Sequence, residues 1–109
     1  MIALANTTAL YLCPATGHVK PVEYDGELDT LKEILGVDLV DASMLDPKTI
    51  VFYDDERMKR QYTHGFTLKY KCVTVEFTGP GLLTGDCAGK NAPLEIDHGK
   101  VTIEYWKVR

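Results

Sequence analysis

Only one stretch of this chain, Leu28-Asp29-Thr30-Leu31-Lys32-Glu33-Ile34-Leu35, spaces its apolar residues at helical intervals. Asp25 stands ahead of it as an N-cap, and Gly36 follows where a left-handed C-terminal cap is expected. Elsewhere apolar residues alternate with polar ones or gather in short runs bounded by Gly, Pro and Asp. Thr7–Leu12 and Val19–Tyr24 read as strands joined by a Pro14–Gly17 turn. Val37–Ala42, Ile50–Tyr53 (after an Asp46-Pro47 turn), Phe66–Phe77 and Val101–Val108 follow as further strands. One helix among so many strands predicts an α+β fold. A single amphipathic helix would pack on a small, mostly antiparallel, strongly bent sheet of six or seven strands.

The longest of these segments contains a conflict. Phe66, Leu68 and Tyr70 share one face of a strand, whereas Val73, Val75 and Phe77 share the other. Side chains alternate with period two, so a flat strand cannot bury both sets. A bulge or bend near Cys72 would reconcile them, with Cys72 as a buried mid-strand thiol.

At 109 residues and 12.2 kDa the chain reads as one domain spanning 1–109, long enough for one modest core. Apolar residues make up 45%, which excludes a wholly disordered chain, and no apolar run is long enough for a membrane helix. Three cysteines without CxxC spacing, Cys13, Cys72 and Cys87, argue against a disulfide framework or zinc knuckle. No Lys or Arg precedes Lys20, so the amino-terminal apolar groups lack the positive start of a secretory signal. Leu12 is too bulky for a lipoprotein cleavage site ahead of Cys13, and the Asn6-Thr7-Thr8 sequon matters only in a secreted chain. A reduced, cytoplasmic protein is expected.

Charge is distributed unevenly. Residues 23–56 hold 11 acids and two bases, a net of −9, while residues 57–75 hold five bases and no acid. That second window supplies Arg57, Lys59, Arg60, Lys69 and Lys71, interleaved with Tyr62, His64, Phe66 and Tyr70. Cations pair with phosphates and aromatic faces stack on bases, so the pattern suits a small anionic, nucleotide-like ligand. Long duplex DNA is disfavoured, because the acidic remainder would repel its backbone. A plainer reading stands beside this one. Lys69 and Lys71 would be the solvated side of a strand, the arginines would pair with Asp54, Asp55 and Glu56, and Tyr62 and Phe66 would be core.

Other constellations carry less chemistry. Asp54-Asp55-Glu56 with His64 offers metal-ligand types, but successive residues on an extended chain point apart, so a solvated turn is expected and no metal is assigned. Gly79-Pro80-Gly81 and Gly85-Asp86-Cys87-Ala88-Gly89-Lys90-Asn91 approach a phosphate loop but miss its spacing and its Ser or Thr after Lys. Lys90 stays a minor anion-binding candidate and the glycines are expected in turns. His18, His64 and His98 fall into no catalytic signature with the cysteines. Cys87, in the Gly-rich stretch, is the thiol to test for reactivity. No catalytic residue or cofactor is assigned.

The segment Leu28–Gly36, the Val/Asp-rich strand, Ile50-Val51-Phe52-Tyr53-Asp54-Asp55-Glu56-Arg57-Met58-Lys59, and then Gly79-Pro80-Gly81-Leu82-Leu83-Thr84-Gly85-Asp86 follow a familiar order. Over about residues 19 to 86 the chain resembles a family of short phage, virus and mobile-element proteins catalogued as a domain of unknown function. Arg57 stands where that family often has Gly. The resemblance implies a viral accessory role and supplies no catalytic residues. By association with small viral proteins, it also implies counter-defence.

Three functions are therefore expected, in this order. The first is a non-enzymatic, nucleotide-sequestering protein using Arg57, Lys59, Arg60, Lys69, Lys71 and Lys90 for phosphate and Tyr62, His64 or Phe66 for stacking. A homo-oligomer interface would complete its pocket. The second is an inhibitor of a host defence protein acting through the acidic surface of Asp38, Asp41, Asp54 and Asp55. The third is a small hydrolase using Cys87 or His64.

Overall fold

The computed structural model describes residues 7–56, 62–70, 72–87, 90–92 and 101–107. In chain order the elements are β1 (Thr7–Cys13), β2 (His18–Tyr24), α1 (Leu28–Leu35), β3 (Val40–Asp46), β4 (Thr49–Asp54), β5 (His64–Tyr70), β6 (Val73–Thr78), β7 (Gly81–Cys87), β8 (Lys90–Ala92) and β9 (Val101–Lys107). Two antiparallel sheets result. The larger runs β2-β1-β7-β4-β3, with β8 paired to β7, and the smaller runs β6-β5-β9.

The expected sheet of six or seven strands is thus corrected to two sheets holding nine strands among the described residues. One source of the difference is the Phe66–Phe77 segment, which is a hairpin and not a bent strand. Tyr70 pairs with Val73, Leu68 with Val75 and Phe66 with Phe77. Folding back after Tyr70 lets even-numbered residues of one arm oppose odd-numbered residues of the other, so both apolar sets share a face. Cys72 consequently sits exposed at the hairpin tip, not buried within a strand. The other source is β7, with β8 hanging from it.

Strand β7 lies inside the larger sheet, between β1 and β4 (Leu10 opposite Leu83, Val51 opposite Leu83). Its neighbours Leu82 and Leu83 are both fully buried but enter different clusters. Leu82 joins Ala9, Tyr24, Leu31, Leu35 and Val37 on the helix side. Leu83 joins Leu12, Leu45, Val51 and Tyr53, which meet Phe66, Leu68, Tyr70 and Phe77 of the smaller sheet. The larger sheet is therefore a middle layer, with α1 on one face and β6-β5-β9 on the other. A strand covered on both faces loses its polar alternation, which is why the sequence reads this stretch as a glycine loop.

Helix α1 starts later than expected. Glu27 is its N-cap residue, with no side-chain cap, and Gly26 in a left-handed conformation separates it from Asp25. Asp25 still braces the entry. Its carboxylate accepts the Glu27 N–H and the Thr30 hydroxyl, each at 2.9 Å. Leu31 and Leu35 are buried, whereas Leu28 at 56% exposure is not among the core residues. The end matches expectation. Gly36 at φ 69° donates its N–H to the Lys32 carbonyl at 2.8 Å, closing the last turn.

Among the described residues no helix is long and apolar enough to cross a membrane.

Candidate functional site

The residues proposed for ligand binding begin just after β4. Arg57, Lys59, Arg60 and Lys71 lie outside the described residues, and of Lys90 only the pairing of its backbone with Cys87 is described. The remaining members are all engaged within the fold. Phe66 is fully buried, 5.4 Å from Tyr105 and 6.0 Å from Phe77, ring centre to ring centre. No face of it is open to a base, which removes it from the stacking set and makes it core. Tyr62 donates its hydroxyl to Asp54 Oδ2 at 2.8 Å. Lys69 forms an ion pair with Glu104 at 2.9 Å on the outer side of the small sheet, both side chains half exposed. His64 lies ring on ring with Tyr105, at 5.3 Å and 9° between planes, with Nδ1 2.9 Å from the Thr63 hydroxyl.

Asp54 differs from its neighbours in the acidic turn. It is fully buried, and its Oδ1 accepts the Glu56 N–H at 2.8 Å while Oδ2 takes the Tyr62 hydroxyl. The carboxylate thus folds the chain after β4 back on itself and is not part of an exposed acidic surface. Asp55 is exposed, and its N–H reaches the Leu39 carbonyl at 3.1 Å. Among the described residues no three His, Cys, Asp or Glu side chains group to hold a metal ion.

The acidic segment is arranged differently. Glu27, Asp29 and Glu33 are exposed on and beside α1, and Asp38, Asp41 and Asp55 are exposed around β3, an outer strand of the larger sheet. Leu39 (51% exposed) and Met44 (43%) lie in the same segment. The sequence reads Val37–Ala42 as a strand. The strand instead begins at Val40, so Leu39 stands in the link before it. Met44, opposite Ile50, lies on the other face of β3 from Leu45, which the alternation turns into the core with Val51.

Cysteine chemistry centres on the β1–β2 turn. The Cys13 thiol is held below its ordinary range, first by a hydrogen bond from the Thr16 hydroxyl, then by the Thr16 and Ala15 backbone and the charge of Lys20, against an opposing effect of burial. Burial, helped by the Cys13 charge, pushes the neighbouring Tyr11 hydroxyl upward, and Lys20 Nζ sits 5.4 Å above the Tyr11 ring. The same turn is pinned from outside by Tyr105, whose hydroxyl donates to the Pro14 carbonyl at 2.8 Å. Sequence reasoning overlooked Tyr105. Its only signal was an aromatic residue on the side of β9 that also carries Val101 and Ile103. Cys87 closes β7 opposite Lys90, so it belongs to a strand and not to a glycine loop.

Comparison of the chain with protein-family models, curated proteins and solved structures finds no match.

Proposed function

We propose that the protein is a non-enzymatic binding protein whose acidic surface around β3 and α1 engages a basic partner protein. One observation carries this reading. Exposed Leu39 stands beside exposed Asp38, and the N–H of exposed Asp55 bonds the Leu39 carbonyl at 3.1 Å, so an exposed aliphatic side chain and two exposed acids lie together where β3 begins. Aliphatic anchors that lose water on contact supply most of an interface's stability, while the surrounding charges steer encounter and select the partner's sign. Among the described residues of the cationic and aromatic window, Tyr62 is engaged by Asp54, Lys69 by Glu104 and His64 by Tyr105. With the likeness to short viral proteins, this fits an accessory protein that masks a basic host defence protein in the cytoplasm.

A labelled ten-residue peptide of alternating Lys and Leu is a direct probe. Fluorescence anisotropy at low salt should show binding that weakens steeply as salt rises. Asp38→Asn with Asp55→Asn, and separately Leu39→Ser, should each weaken it about tenfold, or about 1.4 kcal/mol. Affinity unchanged by both sets would overturn the reading.

A second reading, sequestration of a nucleotide-like anion, is favoured by the acid-free window of residues 57–75. Mass spectrometry of small molecules released when the purified protein is heated separates the two. A nucleotide in the supernatant supports sequestration, and its absence together with peptide binding supports the acidic interface.

A further inference from the structure

We infer that β9 pairs antiparallel with β9 of a second copy of this chain, joining two three-stranded sheets into one of six strands. Each sheet has two outer strands, and β9 is the one among the described residues whose edge nothing blocks. In β2, Pro21 removes a backbone donor, which discourages pairing by another strand. Strand β3 carries a bulge at Met44–Asp46 and touches β6, so the two sheets converge along that side. Strand β9 has no proline and keeps an unbroken register with β5 from Val101 to Lys107. Long, regular edges of this kind recruit further strands unless the fold guards them.

The apolar side of β9 is also unfinished. Val101 and Ile103 pack on the core yet remain half-buried, and Tyr105 is 40% exposed, whereas Phe66 and Leu68 opposite them on β5 are fully buried. A further strand beside β9 would complete that layer.

Charge and shape select one self-pairing. Keeping inner residues against inner residues allows two-fold registers centred on Ile103, Glu104 or Tyr105. Centring on Glu104 sets two carboxylates face to face, and centring on Tyr105 sets Ile103 against Lys107. Centring on Ile103 sets Ile103 against itself, Val101 against Tyr105 and Thr102 against Glu104. The inner row is then apolar, and each Glu104 faces a neutral partner while keeping its bond to Lys69.

Cysteine placement tests the register in a chain with Cys13, Cys72 and Cys87 changed to Ser. Directly opposed residues lie about 4.5–5.5 Å apart between Cα atoms, within disulfide reach, whereas residues offset by two lie about 8 Å apart, beyond it. Ile103→Cys alone should give a covalent dimer on mild oxidation. Thr102→Cys alone and Glu104→Cys alone should not, but an equal mixture of the two should. Light scattering should give the unaltered chain twice its 12.2 kDa mass, and Thr102→Glu, which sets like charge against Glu104 of the second copy while facing Lys69 within its own sheet, should return it to monomer with an unchanged circular dichroism spectrum. A monomer at every concentration tried, or crosslinking indifferent to the cysteine's position, overturns the proposal.

Discussion

Gly65→Ala isolates the closest approach in the small sheet. Gly65 pairs with Trp106 on β9 and Thr78 on β6. A Cβ added there would fall 2.5 Å from the Phe77 carbonyl oxygen and 2.5–2.7 Å from Cη2 and Cζ2 of Trp106. The indole could swing away, but only by losing the hydrogen bond from its Nε1 to the Thr67 hydroxyl, 2.9 Å long. The carbonyl belongs to the β6 backbone and cannot swing. Forcing the backbone costs about 1–3 kcal/mol and the lost hydrogen bond about 1 kcal/mol, so a total near 3 kcal/mol is expected. For a domain of this size that lowers the thermal midpoint by at least about 12 °C. Trp106 is the only tryptophan, so urea unfolding followed by its fluorescence reports directly on the affected strand. Adding Trp106→Ala should relieve the ring clash but not the carbonyl clash, so the double variant, its urea unfolding followed by circular dichroism because no tryptophan remains, should not recover the stability of Trp106→Ala alone. A Gly65→Ala protein within about 0.5 kcal/mol of the parent, the usual range for harmless substitutions, would refute this reasoning.

Three further outcomes follow from the same geometry. Phe66→Ala should cost about 3–5 kcal/mol in urea unfolding, because a fully buried ring leaves a cavity between Phe77 and Tyr105. Thr16→Val should raise the midpoint of the pH–rate profile for iodoacetamide modification of Cys13 (measured with Cys72 and Cys87 changed to Ser), since the hydroxyl stabilises the thiolate. The linked stability is complete above the ordinary thiol pKa and lost as pH falls through the lowered value, so the parent should gain more stability than Thr16→Val as pH rises through that interval. Lys69→Ala should change stability by less than about 1 kcal/mol, because its ion pair with Glu104 is half exposed and screened by solvent.

Local signals carried much of the fold. Gly36 ends α1 through its own backbone conformation, and β1 and β2 were recognisable from the alternation on either side of their turn. What failed depended on distant neighbours. The shift of parity at residues 71–72 reads equally as a bulge or as a hairpin, and only the pairing of Phe66 with Phe77 decides it. Leu82 and Leu83 have no period, because one faces the helix and the other faces the small sheet. At the candidate site the charge pattern was visible in composition, but its meaning was not. Lys69 is matched by Glu104, thirty-five positions later, and His64 by Tyr105, so no window of sequence shows either pairing.

The position of β7 between β1 and β4 has a consequence for synthesis. Leu10 cannot meet Leu83 until the ribosome has released some seventy further residues, so the first hairpin emerges with one edge open. Until then β1 and β4 lack the strand that joins them, and Leu12 and Val51 lack their partners Gly81 and Leu83. Such late, long-range closure makes folding slow and leaves nascent chains dependent on whatever shields them.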